Sequence, residues 1–186
     1  MPKIIFYDFE TTGLNVFHDE VIELAAIDQN GNLYNNLFKP EKAELSLYVK
    51  KLTGITDNML KDKDSFGKCY TDFLNFVGDD EDIYFVAHNN NFDMSFLKKY
   101  LKADFKSSWK FIDSVNLAKL VWPYKKSYSL AYLASCAEIE ELNKHRASGD
   151  VTTLIKLFTV LAYRFDSQSN FVDNIDNIWK ATNLIP

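Results

Sequence analysis

The sequence lacks the features that mark secreted and membrane-bound proteins. It has only two cysteines, Cys69 and Cys136, and they are not paired as metal-binding or disulfide-rich domains require. No run approaches the roughly 18 apolar residues of a membrane-spanning helix, and the N terminus shows neither a signal-peptide pattern nor a lipidation motif. We therefore expect a protein of the reducing cytoplasm that makes no contact with a membrane.

The chain also lacks an excess of positive charge. Its 21 basic and 26 acidic residues give a net charge of −5, which argues against a surface that binds nucleic acid by bulk charge alone. One basic stretch does occur, with lysines at positions 98, 99, 102, 106 and 110. These lysines could follow the phosphates of a nucleic acid, or they could form the solvated face of a helix.

Apolar residues are plentiful enough for one well-packed domain. Of the 186 residues, 47% are apolar and 15% are aromatic, so the core of a soluble globular fold should be rich in aromatic rings. The sequence contains no internal repeat, low-complexity tract or interdomain linker. These features together predict a single domain.

The order of the strand and helix patterns predicts an α/β fold. The opening apolar run is typical of a central strand, and residues 21–28 and 32–38 predict two more strands joined by Asn30-Gly31, a two-residue hairpin signal. The asparagines at 89–91 could cap a helix that starts near Phe92. Further strands are predicted at 83–87 and 111–113, and helices at 65–77, 92–101, 114–122, 127–137 and 147–164.

Four acidic residues lie on apolar faces of these predicted elements. Asp8 and Glu10 share one face of the first strand, because side chains alternate along a strand. Asp93 and Asp150 each lie on the apolar side of a predicted helix. We expect the four side chains to point towards a common place in the core.

Four clustered carboxylates would repel each other strongly. At separations of roughly 6 Å and an effective dielectric constant near 20, each pair costs about 3 kcal/mol, and the whole set costs about 16 kcal/mol. A domain is stable by only about 5 to 15 kcal/mol. The sequence therefore predicts a site that holds protons or hard divalent cations such as Mg²⁺ or Mn²⁺, and two such cations would cancel the charge.

Three segments carry a resemblance to a known family. They resemble, in order, the three exonuclease motifs of the DEDDh (DnaQ-like) 3′ to 5′ exonucleases, which include the epsilon proofreading subunit of bacterial replicative DNA polymerase, RNase T and oligoribonuclease. The segments are residues 8–13 with sequence DFETTG, residues 88–97 with sequence HNNNFDMSFL, and residues 145–150 with sequence HRASGD. This likeness implies an exonuclease domain at residues 1–165.

The resemblance implies a fold and a role for each acid. The fold would be RNase H-like, with a mixed central sheet whose first three strands are antiparallel, flanked by helices. Asp8 would bridge two cations, Glu10 and Asp150 would complete one cation site, and Asp93 would hold the other cation. His145 would be the general base, since the pKa of histidine lies near working pH, and we expect it on a loop because the spacing to Asp150 does not suit a continuous helix.

The resemblance also suggests substrate contacts, which would lie at Thr11, Thr12 and Leu14 after the first motif. Thr53 stands where family members often have histidine, which puts one terminal hydrogen bond in doubt. Phe92 could stack on a base, although a phenylalanine at this helical spacing is more often part of the core.

The implied activity is removal of nucleoside 5′-monophosphates from the free 3′ ends of single-stranded DNA. Three alternatives stay open: a 3′ to 5′ exoribonuclease like RNase T or oligoribonuclease, an RNase H-like endonuclease, and a non-catalytic module that binds nucleic acid or protein.

The tail, residues 166–186, shows the periodicity of an amphipathic helix. It would pack on its own domain, or it would contact a DNA polymerase or a second copy of the chain.

Overall fold

The computed structural model describes residues 1–140, 145–166 and 171–184. Within them, a central sheet carries helices on both faces. The strands are β1 (Lys3–Thr11), β2 (Val21–Asp28), β3 (Leu33–Leu37), β4 (Ile83–Ala87) and β5 (Lys110–Asp113). The α-helices are α1 (Leu47–Thr53), α2 (Asp57–Leu60), α3 (Phe66–Val77), α4 (Asn90–Leu101), α5 (Ser114–Val121), α6 (Leu130–Cys136), α7 (Ala147–Phe165) and α8 (Phe171–Thr182).

The strand order is β3-β2-β1-β4-β5, with β1 in the centre. Strands β1, β2 and β3 pair antiparallel, whereas β4 and β5 continue the sheet in parallel pairings. The predicted mixed sheet with three antiparallel strands at its start is confirmed. The connection from β2 to β3 is longer than the predicted two-residue turn, because the carboxylate of Asp28 accepts the backbone N–H groups of Asn30 and Asn32 and closes a wider loop.

Each face of the sheet has its own core. On one face, Ile4 and Phe6 of β1 pack against α7, where the ring of Phe158 lies 5.3 Å from that of Phe6. On the other face, Tyr7 and Phe9 join the aromatic side chains of α3 and α4. A central strand that is buried on both sides needs apolar residues at nearly every position, which is the pattern that the opening run has.

An asparagine of the predicted cluster occupies the N-cap position of α4, but its side chain does not cap the helix. Asn89 occupies the N-cap position with a positive φ of 66° and makes no capping hydrogen bond with its side chain. Instead, Asp113 at the end of β5 accepts the N–H groups of Asn89 and Asn90 at 3.0 and 3.1 Å. The cap therefore comes from a residue distant in the chain, which local sequence reasoning does not detect.

The C-terminal tail is helical from Phe171 to Thr182, whereas residues 167–170 and 185–186 lie outside the described residues. Ile175 and Ile178 are buried in the core that includes α7. Asp176 accepts a hydrogen bond from the Tyr84 hydroxyl at 2.9 Å, which ties α8 to β4. In the described part of the chain, no helix has both the length and the apolar character that crossing a bilayer requires.

Candidate active site

The candidate site lies at the carboxyl end of β1, where the pairing of this strand changes. The parallel pairing with β4 ends at Phe6, whereas the pairing with β2 continues to Thr11. The backbone beyond Phe6 is therefore open on the side where the chain leaves β4 and enters α4. The N–H of Phe9 uses this opening and donates to the carboxylate of Asp93 at 3.1 Å.

Three of the four predicted acids meet at one point. Asp8 and Glu10 lie on the face of β1 that α7 covers, and Asp150 is in the first turn of α7. One carboxylate oxygen from each residue lies within 4.8 Å of the other two. The alternation of β1 and the apolar stripe of α7 therefore bring together residues that are far apart in the sequence.

The fourth acid, Asp93, reaches the site from the other side of the sheet. Its helix α4 packs on the face opposite α7, through Phe96 and Leu97. The side chain of Asp93 is buried, with 2% of the residue exposed. The structure therefore places Asp93 beside Asp8 but outside the three-residue cluster.

Burial and mutual repulsion hold these acids towards their protonated forms. Burial raises the pKa of Asp8 well above its usual range, and the nearby charge of Asp93 raises it further. Burial also raises the pKa of Asp93 well above its usual range, although the hydrogen bond from Phe9 opposes that shift. The pKa of Glu10 rises to about 8, mainly through burial and then through the charge of Asp150. Without a counter-charge, the site binds protons near neutral pH.

The three clustered residues fit a hard divalent cation. Two oxygen ligands of one Mg²⁺ ion lie roughly 3 to 4 Å apart, because each bond is about 2.1 Å long. The carboxylate oxygens of Asp8, Glu10 and Asp150 lie within 4.8 Å of one another, so small side-chain rotations would bring them onto one ion. An all-oxygen donor set favours Mg²⁺ or Mn²⁺ over softer metals.

His145 precedes the cluster on a non-helical segment. Its backbone has a positive φ of 57°, and Arg146 is extended, with φ −125° and ψ 124°, so α7 begins only at Ala147. The predicted departure from helix before Ala147 is confirmed. The His145 side chain is exposed and lies outside the three-residue carboxylate cluster.

The side chain of His88 links neighbouring segments of the fold. Its Nε2 atom lies 2.8 Å from the carbonyl oxygen of Tyr128, and its Nδ1 atom lies 2.8 Å from the hydroxyl of Ser114. Burial lowers the pKa of His88, which favours the neutral ring. This residue ties the end of β4 to α5 and to the segment before α6.

Glu23 is a residue of the site that sequence reasoning missed. It lies directly opposite Glu10 in the β1–β2 pairing and is fully buried. Arg146 forms a two-point ion pair with it, at 3.0 Å from Nε and 2.8 Å from Nη2. The available signal was a glutamate in the middle of an apolar strand, since a buried charge calls for a partner.

The predicted substrate contacts after the first motif lie in a tightly bonded loop. The Thr11 hydroxyl donates to the carbonyl of Gly13 at 2.6 Å, and the Thr12 hydroxyl donates to the carboxylate of Asp19 at 2.9 Å. A Cβ atom on Gly13 would lie only 2.6 Å from the Asp19 carboxylate, so a larger residue there would displace this carboxylate from its hydrogen bonds with Thr12 and Asn15. Leu14 is 86% exposed at the surface of the loop.

The other two predicted substrate contacts have partners within the protein. Thr53 is buried, and its hydroxyl donates to the carbonyl of Val49 and accepts the N–H of Ile55. The ring of Phe92 is half-buried and lies 5.1 Å from the ring of Phe96. Phe92 therefore belongs to the edge of the aromatic core and keeps part of its surface exposed.

Several lysines of the basic stretch bind groups of the protein itself. Lys99 donates to the carbonyl of Asp19 at 2.6 Å, and Lys106 pairs with Asp79 at 2.9 Å. Lys110 contacts Asp82 at 3.2 Å. These contacts favour the interpretation of the stretch as an internally paired, solvated surface.

Comparison with known proteins points to one family. Residues 5–158 match the family model described as Exonuclease. The chain is 36% identical over 160 residues to the PolC-type DNA polymerase III of Thermotoga maritima, which covers 83% of this chain and 11% of that protein. This chain therefore spans about a tenth of the length of the curated polymerase relatives that it matches.

Solved structures share the fold. E. coli Exonuclease I in complex with a dT13 oligonucleotide superposes with a TM-score of 0.76 at 19% identity, covering 90% of this chain and 42% of that one. Exonuclease X in complex with 5′ overhanging duplex DNA superposes with a TM-score of 0.67 at 21% identity, covering 96% of this chain and 99% of that one.

Proposed function

Because this chain belongs to the exonuclease family, we propose that it is a metal-dependent 3′ to 5′ exonuclease that releases nucleoside 5′-monophosphates from single-stranded DNA. Membership in the family agrees with the resemblance carried by the three sequence motifs, and the shared architecture confirms the predicted RNase H-like fold. The region that matches the family contains all four motif acids and His145.

The observation that carries this proposal is the convergence of Asp8, Glu10 and Asp150 at the end of β1. Burial has raised the pKa values of Asp8 and Glu10, a cost in stability that a purely structural core would not require. Acids with strongly perturbed pKa values that meet at one point are typical of functional sites.

We infer that two divalent cations, Mg²⁺ or Mn²⁺, occupy the site. Asp8, Glu10 and Asp150 would hold one of them, and Asp93 with Asp8 would hold the other. Bound cations of this kind lower the pKa of an attacking water and stabilise the departing oxygen of a phosphodiester.

His145 is the proposed general base. Its exposed position, one residue before the N-cap of α7, leaves its ring able to take a proton from a water near the carboxylates. Leu14 and Phe92 are the proposed substrate contacts with apolar surface available to a base, whereas the hydroxyls of Thr11, Thr12 and Thr53 are already bonded within the protein. For Thr11 and Thr12, the proposed contact is therefore through the backbone, whereas Thr53 is 3% exposed and its hydroxyl has no hydrogen bond left to offer a substrate.

Single-stranded DNA is the proposed substrate. The matched regions belong to a PolC-type DNA polymerase, and two structural neighbours were solved with DNA. The deciding experiment incubates the protein and Mg²⁺ with matched DNA and RNA oligonucleotides that carry a free or a blocked 3′ end. Mononucleotides from free DNA ends alone support the proposal, and preference for RNA identifies an exoribonuclease.

Two other outcomes would overturn the exonuclease proposal. Cleavage of blocked strands would indicate an endonuclease. Absence of any cleavage, with binding retained, would indicate a non-catalytic module.

The matched control is His145→Ala, which should reduce cleavage at neutral pH and leave thermal stability unchanged because this side chain is exposed.

We also infer a cytoplasmic location and a contact with a DNA polymerase, which the match to PolC-type enzymes supports. The apolar side of α8 would not serve that contact or self-association, because Ile175 and Ile178 are buried within the chain itself. Analytical ultracentrifugation of the protein tests self-association.

A further inference from the structure

The ion pair between Glu23 and Arg146 connects the two halves of the candidate cation site. Glu23 belongs to β2, directly opposite Glu10. Arg146 lies between His145 and the first residue of α7. The pair thus joins two segments that are 123 residues apart in the sequence.

The carboxylate of Glu23 accepts three hydrogen bonds. Two come from the guanidinium of Arg146, at 3.0 and 2.8 Å, and the third comes from the backbone N–H of Ala147 at 3.1 Å. A planar guanidinium that bonds both oxygens of a carboxylate fixes orientation as well as distance. The start of α7 is therefore held at a defined place over β2.

The backbone of Arg146 also contacts Asp150, so fixing Arg146 fixes the start of the helical turn that carries Asp150. The carbonyl oxygen of Arg146 accepts the N–H of Gly149 at 2.8 Å and the N–H of Asp150 at 3.0 Å. One residue thus bonds Glu23 with its side chain and Asp150 with its backbone.

Stability alone does not account for this ion pair. Glu23 is fully buried beside Glu10, where its negative charge opposes the ionisation of Glu10 and the charge of Arg146 favours it. A buried ion pair can often be replaced by apolar residues with no loss of stability. What an apolar pair cannot supply is a fixed angle and distance between β2 and the first turn of α7.

We propose that Glu23 and Arg146 are positioning residues, which set the place of Asp150 relative to Asp8 and Glu10 so that the three carboxylates can share a cation. Because the pair has no net charge, it holds the backbone without placing an uncompensated positive charge beside the cation. The activity part of this proposal rests on the proposed nuclease function, whereas the cation-binding part does not.

The test compares three variants with the wild-type protein. Arg146→Lys keeps the charge and removes the two-point geometry, and Glu23→Gln removes the charge of the acceptor. A double variant, Glu23→Leu with Arg146→Met, replaces the ion pair with apolar residues. The control is Asp176→Asn, which removes the charge that pairs with Lys110 of the edge strand β5 and with Lys180 of α8, neither of which belongs to the carboxylate cluster.

Two quantities are measured for each folded variant. Electron paramagnetic resonance gives the affinity for Mn²⁺ without nucleic acid, and steady-state kinetics on an oligonucleotide gives kcat and KM separately. We expect Arg146→Lys and Glu23→Gln to bind Mn²⁺ about 10-fold or more weakly and to lose about 10- to 100-fold in kcat, with KM nearly unchanged. The double variant should recover the melting temperature of the wild type but not its Mn²⁺ affinity.

Two results would show that the ion pair does not position the site. If folded Arg146→Lys binds Mn²⁺ as tightly as the wild type and as the Asp176→Asn control, the ion pair does not position the site. Full Mn²⁺ affinity in the apolar double variant would overturn the proposal in the same way, and this variant also serves if the single variants do not fold. A wild-type protein that binds Mn²⁺ but cuts no oligonucleotide would refute the proposed function, and the affinities would still decide the role of the ion pair.

Discussion

The stability of the cation-free protein should fall as the pH rises from about 4.5 to about 8. The pKa of Glu10 is raised from 4.5 to about 8 in the folded state. Folded protein therefore binds more protons than unfolded protein within this window, and unfolding becomes easier as the protons are lost. The free-energy cost of ionising the buried Glu10 is absent below its pKa in the unfolded chain, 4.5. It is fully present above its pKa in the folded protein, about 8.

The size of this effect follows from the shift. A difference of roughly 3.5 pKa units at about 1.4 kcal/mol per unit corresponds to about 5 kcal/mol. This amount is comparable with the whole stability of a small domain. Asp8 and Asp93 are shifted in the same direction, so their contributions have the same sign as that of Glu10.

The assay is urea denaturation in a chelating buffer at several pH values, repeated with excess Mg²⁺. Cations that bind only the folded state should restore the lost stability above pH 7. Glu10→Gln should be more stable than the wild type at pH 8 without cations, and it should gain less from Mg²⁺. Asp62→Asn, a change at an exposed acid, is the matched control and should behave like the wild type.

Two results would refute this reasoning. One is a stability that stays constant between pH 5 and 8 in the chelating buffer. The other is an equal denaturation midpoint for the wild type and Glu10→Gln at pH 8, which would mean that the glutamate carries no burial cost.

Three further predictions concern single side chains. Asp150→Asn should lower nuclease turnover by about 100-fold or more while it raises cation-free stability at pH 8, which kinetics and urea denaturation measure side by side. Tyr7→Phe should cost about 1 to 3 kcal/mol in urea denaturation, because the buried amide oxygen of Asn90 loses its 2.6 Å hydrogen bond; an unchanged midpoint would contradict this. Ile178→Ala should cost about 2 to 5 kcal/mol through the cavity it leaves in the core, whereas Leu184→Ala, at an 84% exposed position, should leave the midpoint unchanged.

The sequence predicted those parts of the molecule that depend on local periodicity. Alternation along β1 placed Asp8 and Glu10 on one face, and the helical stripe of α7 placed Asp150 on the side that covers them. Each inference depends only on the periodicity of side chains within a single strand or helix. The sequence alone therefore predicts the convergence of these three acids.

The missed features depend on contacts between distant segments. Asp113 caps α4 from the end of β5, and Arg146 neutralises Glu23 from the start of α7. Asp93 approaches from the face opposite α7, because the pairing of β4 with β1 stops early and leaves the Phe9 N–H open. The periodicity of one element does not determine how two strands are aligned, so the sequence does not predict these contacts.

The distance along the chain between Asp8 and Asp150 has a consequence for the growing polypeptide. At typical rates of about 5 to 20 residues per second, a ribosome needs on the order of ten seconds to synthesise the roughly 140 residues between them. During that interval the first two acids remain hydrated, and the three-oxygen cluster does not exist. A nascent chain therefore carries an incomplete candidate cation site until Asp150 has been synthesised and α7 has packed on β1.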